Sequence, residues 1–218
     1  MNCKNFAEFH SACEKRKRQI LMMDVTKPRF MYNVNAAISC LSNFYLNAEN
    51  AEIIDNGIAA LNASECSSAK SRIIRDNSIG ILNDFKNLNI KRPLLTNPVF
   101  EIGCKKKQFF VHTLQVSVSP NAVFYVEKED GLHAGGILFR TTKAGSFDFE
   151  NCKIVALILE QYLKKAFSST FFKVDKDLCF CIDPHNNCWA SSPHDEALYN
   201  EIIEETYAMI TSQNISAA

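Results

Sequence analysis

The sequence predicts an α/β (α+β) protein: an N-terminal helical array packed on a small mixed sheet with flanking helices. Three observations carry that reading. Apolar residues recur at helical spacing through the first ninety residues, the period becomes two after a proline-interrupted stretch at 91–98, and a long apolar helix then alternates with further strands. Residues 1–92 read as a helical region and 93–218 as a mixed α/β domain, together one compact unit. A chain of 218 residues with 47% hydrophobic content can bury a core of that kind.

The elements follow in order. Phe6, Phe9, Cys13 and Ile20 mark an amphipathic helix from Asn2 to about Met23, with Glu14-Lys15-Arg16-Lys17-Arg18 in the intervening turn, and Pro28 interrupts it. Val34, Ile38, Leu41 and Tyr45 mark a second helix, and Ile53, Ile54, Ile58 and Leu61 a third. Ser67 or Ser68 caps a fourth, with Ile73, Ile74, Leu82 and Phe85 inside and Arg72, Arg75 and Lys86 pointing elsewhere. Two prolines, Pro93 and Pro98, then favour extended chain. Val99 to Cys104, Phe109 to Val118, Ala122 to Val126 and Gly136 to Thr141 are rich in β-branched and aromatic residues and read as strands, with a turn at Cys104 to Gln108. Asp148 or Asn151 opens a helix to about Phe167 that is apolar on more than one face, as a helix packed between layers requires. "LCFCID" and "CWAS" form a hairpin through Pro184-His185-Asn186-Asn187. Ser192, Pro193 and Asp195 have the spacing of a capping box for a last helix, with Leu198, Ile202, Tyr207 and Ile210 as its apolar side.

Composition narrows the function classes. The longest apolar run, Ile154 to Leu159, is far below the ~20 residues a bilayer span needs, and the polar N-terminus does not read as a signal peptide, so a cytoplasmic protein without membrane association is expected. Nine cysteines, an odd number scattered from Cys3 to Cys188, read as reduced thiols. Seven glycines and the lack of a glycine-rich phosphate loop, of His-Glu-x-x-His and of Gly-x-Ser-x-Gly leave no nucleotide-binding, zinc-protease or serine-hydrolase signature.

"VSVSPNAVFYV" followed by "GGILFR", in the order helix, three strands, helix, strand, resembles the PD-(D/E)xK nuclease superfamily over about residues 98–190. The resemblance implies an aspartate on the second core strand and an acid-x-lysine triplet on the third, holding Mg²⁺ or Mn²⁺ and a water. Here Asn121 stands at the aspartate position, and Gly136-Ile137-Leu138 or Ile137-Leu138-Phe139 where the triplet falls. A carbonyl brings no charge and an apolar triplet brings no ligand, so a site without catalysis and without a cofactor is expected. Against this stands a metal-dependent nuclease drawing its carboxylates from Glu101, Glu127 and Asp183.

Cys179, Cys181, His185, Cys188 and His194 gather soft ligands within sixteen residues, but Cys-x-Cys is not the usual zinc-knuckle spacing. Cysteines and histidines also suit a thiol-histidine dyad, for which no particular pair stands out. Residues 1–109 carry 16 Lys+Arg against 10 Asp+Glu, and residues 110–218 carry 8 against 14, so nucleic acid would favour the front half. The residues concerned are Lys15, Arg16, Lys17, Arg18, Arg29, Arg72, Arg75, Lys91, Arg92, Lys105, Lys106 and Lys107. The opposite poles equally suit self-association or a protein partner. The resulting expectation is a non-catalytic binding or assembly protein on a degenerate nuclease-like domain, nucleic-acid-associated or acting as an adaptor or immunity protein.

Overall fold

The computed structural model describes residues 1–25, 34–47, 50–88, 99–101, 107–143, 147–167 and 172–215. Five helices come first: α1 (Cys3–Ser11), α2 (Glu14–Val25), α3 (Asn35–Leu46), α4 (Ala51–Ala63) and α5 (Ala69–Lys86). Strands β1 (Val99–Glu101), β2 (Lys107–Val111), β3 (Leu114–Val118), β4 (Ala122–Lys128) and β5 (Gly131–Phe139) follow. Helix α6 (Phe149–Ala166), strands β6 (Lys173–Asp183) and β7 (Cys188–Ser191) and helix α7 (Glu196–Ile215) complete the order. No helix among the described residues is long and apolar enough to cross a membrane.

A five-stranded sheet in the order β1-β4-β5-β6-β7 forms the centre, and β2 and β3 form a separate two-stranded ribbon. Only β5 and β6 run parallel, joined through α6, so the sheet is mixed as expected. Its two faces carry different helices. Phe6, Phe9 and Ile20 of α1 and α2 pack with α6, α7 and the ribbon over Val123, Leu138, Cys179 and Cys181. Leu41, Phe44, Tyr45, Ile54, Ile81, Leu82 and Phe85 of α3, α4 and α5 cover Phe124, Ile137, Phe139, Phe180 and Ile182 on the other face. The helical N-terminal region therefore divides around the sheet.

Local signals account for several helix ends. Ser68 caps α5 and Asp148 caps α6, each in a reciprocal box with the residue three positions on, which satisfies two orphan N–H groups. Three details depart from the sequence reading. The first helix is two helices, because extended backbone at Ala12 lets Arg16 fold back onto Glu8. In a continuous helix those residues would stand about 12 Å apart along the axis. The run Phe109 to Val118 is a hairpin turned at His112 and Thr113, where His112 takes φ 50°. Contacts of His112 with Glu204 and of Thr113 with Tyr207 hold that turn without an Asn-Gly signal. Finally, Asp195 rather than Ser192 caps α7, since the Ser192 hydroxyl donates to the buried Glu160. The apolar sides also shift: Ile73 and Leu198 stay exposed while Tyr199 and Ile203 are buried.

Gly135 makes one close approach possible. A Cβ there would lie 2.3 Å from the Leu178 carbonyl oxygen, at the register shift between Ala134 and Gly136 where β5 meets β6.

Candidate functional site

In an open α/β sheet the carboxyl ends of parallel strands are the usual place for a site. Here β5 and β6 end side by side, Phe139 in register with Ile182, and the residue that follows each of that pair is charged and buried. Arg140 is 2% exposed and Asp183 fully buried. The Arg140 Nη1 donates to Asp183 Oδ2 at 2.7 Å and to the Thr142 carbonyl at 2.7 Å. Its Nη2 lies 3.8 Å from Glu8 Oε2, and its guanidinium stacks 4.4 Å from the Phe147 ring centre. Glu8, also buried, takes Arg16 through Nε at 2.6 Å and Nη2 at 3.1 Å, a bidentate pair that raises the arginine's pKa. Arg16, Glu8, Arg140 and Asp183 thus form a chain of alternating charge that joins α1 and α2 to the sheet.

Asp183 is fully committed. Besides Arg140 it accepts the His185 and Asn186 backbone N–H groups at 3.1 and 3.3 Å and the Asn186 side-chain amide at 2.7 Å. Those four donors match the roughly four lone-pair sites a carboxylate offers. The turn residues Pro184 to Asn187 are thereby clamped, and His185 reaches across to Asp84 on α5. Asn121, one residue before β4, is committed too: its Oδ1 accepts the Phe139 N–H at 2.7 Å and its N–H donates to the Ile137 carbonyl at 2.8 Å. Lys4 donates to the Phe139 carbonyl from α1. Sequence reasoning passed over Glu8 and Arg140; the available signal was an arginine directly after an apolar strand.

The other carboxylates considered from sequence lie elsewhere. Glu127 pairs with Leu132 at the hairpin end, seven residues or about 23 Å of strand from Phe139. Glu101, described only in its backbone, is in register with Val123 on the far side of β4 from β5 and β6. The set Glu101, Glu127 and Asp183 occupies three separate places on the sheet.

Cys179 and Cys181 lie buried on the α6 face, and Cys188 Sγ stands 3.6 Å from Cys152 Sγ. Burial pushes the Cys179 thiol well up, and the neighbouring thiols of Cys181 and Cys188 together with burial push up that of Cys152. His185 turns instead to α5. No three His, Cys, Asp or Glu side chains among the described residues are placed to hold a metal ion.

The basic residues fall on both faces of the sheet. Lys15, Arg16, Lys17 and Arg18 belong to α2, packed on the α6 side, whereas Arg72 and Arg75 belong to α5, packed on the other. Arg16 is taken by Glu8, Lys17 contacts Glu14 and Arg75 pairs with Asp76, while Lys15, Arg18 and Arg72 are exposed. Arg29, Lys91, Arg92, Lys105 and Lys106 lie outside the described residues, as do the turn around them and the prolines Pro28, Pro93 and Pro98, and Lys107 is described only in its backbone.

No protein-family model matches the chain, and no curated protein matches it.

Proposed function

We propose that the chain is a non-catalytic binding or assembly protein, in which a nuclease-like order of elements carries a structural ion network where chemistry would otherwise sit. The observation that supports this most is the saturation of Asp183. A carboxylate with all its acceptor sites taken by Arg140 and the 183–186 turn has none left for a cation. Asn121 adds no charge and its carbonyl is already bonded, so the residues present do not fit the Mg²⁺ or Mn²⁺ site of the nuclease pattern. Protein partners suit the surface better than a nucleic-acid duplex, because the described basic residues are divided between two faces and several are internally paired. Exposed Lys15 and Arg18 on one helix are the feature that favours a nucleic-acid contact.

The test uses the whole chain with single- and double-stranded DNA and RNA, with Mg²⁺ or Mn²⁺, at two salt concentrations. The expected result is intact nucleic acid throughout. Metal-dependent cleavage that persists through purification and disappears in Glu101→Ala, Glu127→Ala, Asp183→Ala or Asn121→Ala overturns the proposal. A gel shift at low salt that fades at high salt would assign the partner as nucleic acid, since phosphate contacts weaken with added counterions.

A further inference from the structure

The outer edge of β7 is bordered by a cleft of about 420 Å³, lined by Phe149 and Lys153 of α6, Tyr199 of α7 and the run from Trp189 to Asp195. Its volume falls in the range of ligand sites. The lining shows how it opens. Side chains alternate along a strand, and Trp189 packs with the α5-side core while Ala190 packs with the α6-side core. One cleft that touches both consecutive residues must open along the strand's edge.

The hydrogen-bond phase of that edge is defined. Ser192 donates its backbone N–H to the Cys179 carbonyl at 3.0 Å, and the β6-β7 register pairs Ala190 with Cys181 and Cys188 with Asp183. Residues 188, 190 and 192 therefore bond inward to β6. Trp189 and Ser191 direct their N–H and C=O groups outward, where β7 has no neighbouring strand among the described residues. Beside them stand an exposed aromatic, Phe149, and the buried Tyr199, with the Lys153 ammonium over both rings. The Lys153 ammonium donates to the Tyr199 hydroxyl at 2.9 Å and to Glu150 at 3.1 Å, and sits 4.5 Å over the Phe149 ring.

Charge completes the description. The cleft is lined by Asp195 and Lys153, and around it Glu150 pairs with Lys153, Glu196 with Lys176 and Asp177 with His194, so the acids outnumber the lysines by two. An acidic rim recruits a basic partner.

We infer that β7 binds an extended peptide segment of a partner protein as a sixth strand, with an aromatic side chain seated against the exposed Phe149 ring and lysine or arginine on its flanks. A second copy of this chain fits less well. Its β7 would bring only Cys188 and Ala190 to the α6 side, which leaves the cleft unfilled. The inference rests on the binding reading above and fails separately from it: nuclease activity would overturn that reading without altering the β7 titration.

Trp189 is the only tryptophan in the chain, so its emission reports on the site directly. The probe is an acetylated, amidated heptapeptide of alternating valine and threonine, with phenylalanine at its centre and lysine at each end. The expected result is a saturable change in Trp189 emission and amide shifts at residues 188–191. Phe149→Ala should weaken binding about tenfold, the size typical of an aromatic anchor. Replacing the flanking lysines by glutamate should weaken it about fivefold at low salt. Ser191→Pro removes an outward N–H and leaves the bonds to β6 intact, so saturation should be lost while thermal melting is kept. N-methylation of the peptide backbone at the donors facing β7 makes the same test without a variant. Absence of a saturable signal with the parent peptide overturns the inference, as does equal binding by the N-methylated peptide. A Trp189 change that tracks protein concentration without peptide, with dimer in sedimentation, overturns it in favour of a second copy.

Discussion

Two charged clusters stand at opposite ends of β5. At the hairpin end, His133 lies between Asp175 (3.0 Å) and Asp130 (2.7 Å), with Lys128 on Asp175 and Lys173 on Asp130. At the other end, Arg140 lies between Glu8 and Asp183. The residue types are nearly the same, but Asp130 and Lys173 are 58% and 59% exposed while Arg140 and Asp183 are 2% and 0%. Water screens the Asp130–Lys173 pair of the first cluster, whose His133 and Asp175 are 12% and 13% exposed, and is excluded from the second. The difference teaches that geometry alone does not set the value of an ion pair. A surface pair contributes little, whereas a buried pair is costly to form and far costlier to break on one side only.

The strongest way to break this comparison is Asp183→Ala. It leaves Arg140 buried with Glu8 as its remaining carboxylate and releases two backbone N–H groups and the Asn186 amide, and should cost about 3–5 kcal/mol in the denaturation free energy measured with urea. The double variant Arg140→Met with Asp183→Leu should cost less than Asp183→Ala, because no uncompensated charge remains. If the double variant is the worse of the two, the network holds the fold by something other than charge balance.

Between the clusters, Gly135→Ala forces the Leu178 backbone away from β5 and should destabilise by about 1–3 kcal/mol in the same measurement. A loss confined to β5-β6 amide protection in hydrogen exchange would place the damage at the bulge.

At the exposed end the expected effect is smaller and depends on pH. Hydrogen bonds from Lys173 and then His133 lower the Asp130 carboxyl from 3.8 to about 2. The folded-state value is depressed, so its contribution is present above 3.8 and is lost as pH falls toward about 2. Carboxyl NMR should find the midpoint near that value, and Lys173→Ala should move it upward. A midpoint unmoved by Lys173→Ala would assign the shift to another neighbour.

The smallest change concerns thiol access. Among the described cysteines, Cys13 is exposed, Cys40 and Cys66 are partly buried, and Cys3, Cys152, Cys179, Cys181 and Cys188 are buried. Burial also raises the Cys3 thiol to about 11, which suppresses the reactive thiolate. A thiol reagent followed by peptide mapping should label Cys13 first and reach the buried five only on unfolding. Early labelling of Cys152 or Cys188 would show that the β7 end opens in the native state.

Much of this was legible one turn at a time. Ser68 before α5, Asp148 before α6 and the Pro184 to Asn187 turn are signals whose donors and acceptors lie within a few residues. The same short range explains the misses. Ser192 has the position of a cap, yet its hydroxyl is drawn to Glu160, 32 residues back in the chain. Of the site, Asp183 was visible as a strand-end acid and Asn121 as an uncharged residue where an acid was sought, but neither Glu8 nor Arg140 stood out.

By itself the sequence determined most of the helix and strand stretches, where several of them stop, and that the sheet would be mixed and flanked by helices, because period, capping and turn chemistry act over single turns; the breaks at Ala12 and at His112 and Thr113 were not among them. Only the tertiary structure decided that α1 and α2 take one face and α3 to α5 the other, that β7 is the edge of the sheet among the described strands, and that Arg140 stands between Glu8 and Asp183. Those outcomes depend on strand order and on which distant side chains share a space without water, and there the low local dielectric makes pairing compulsory.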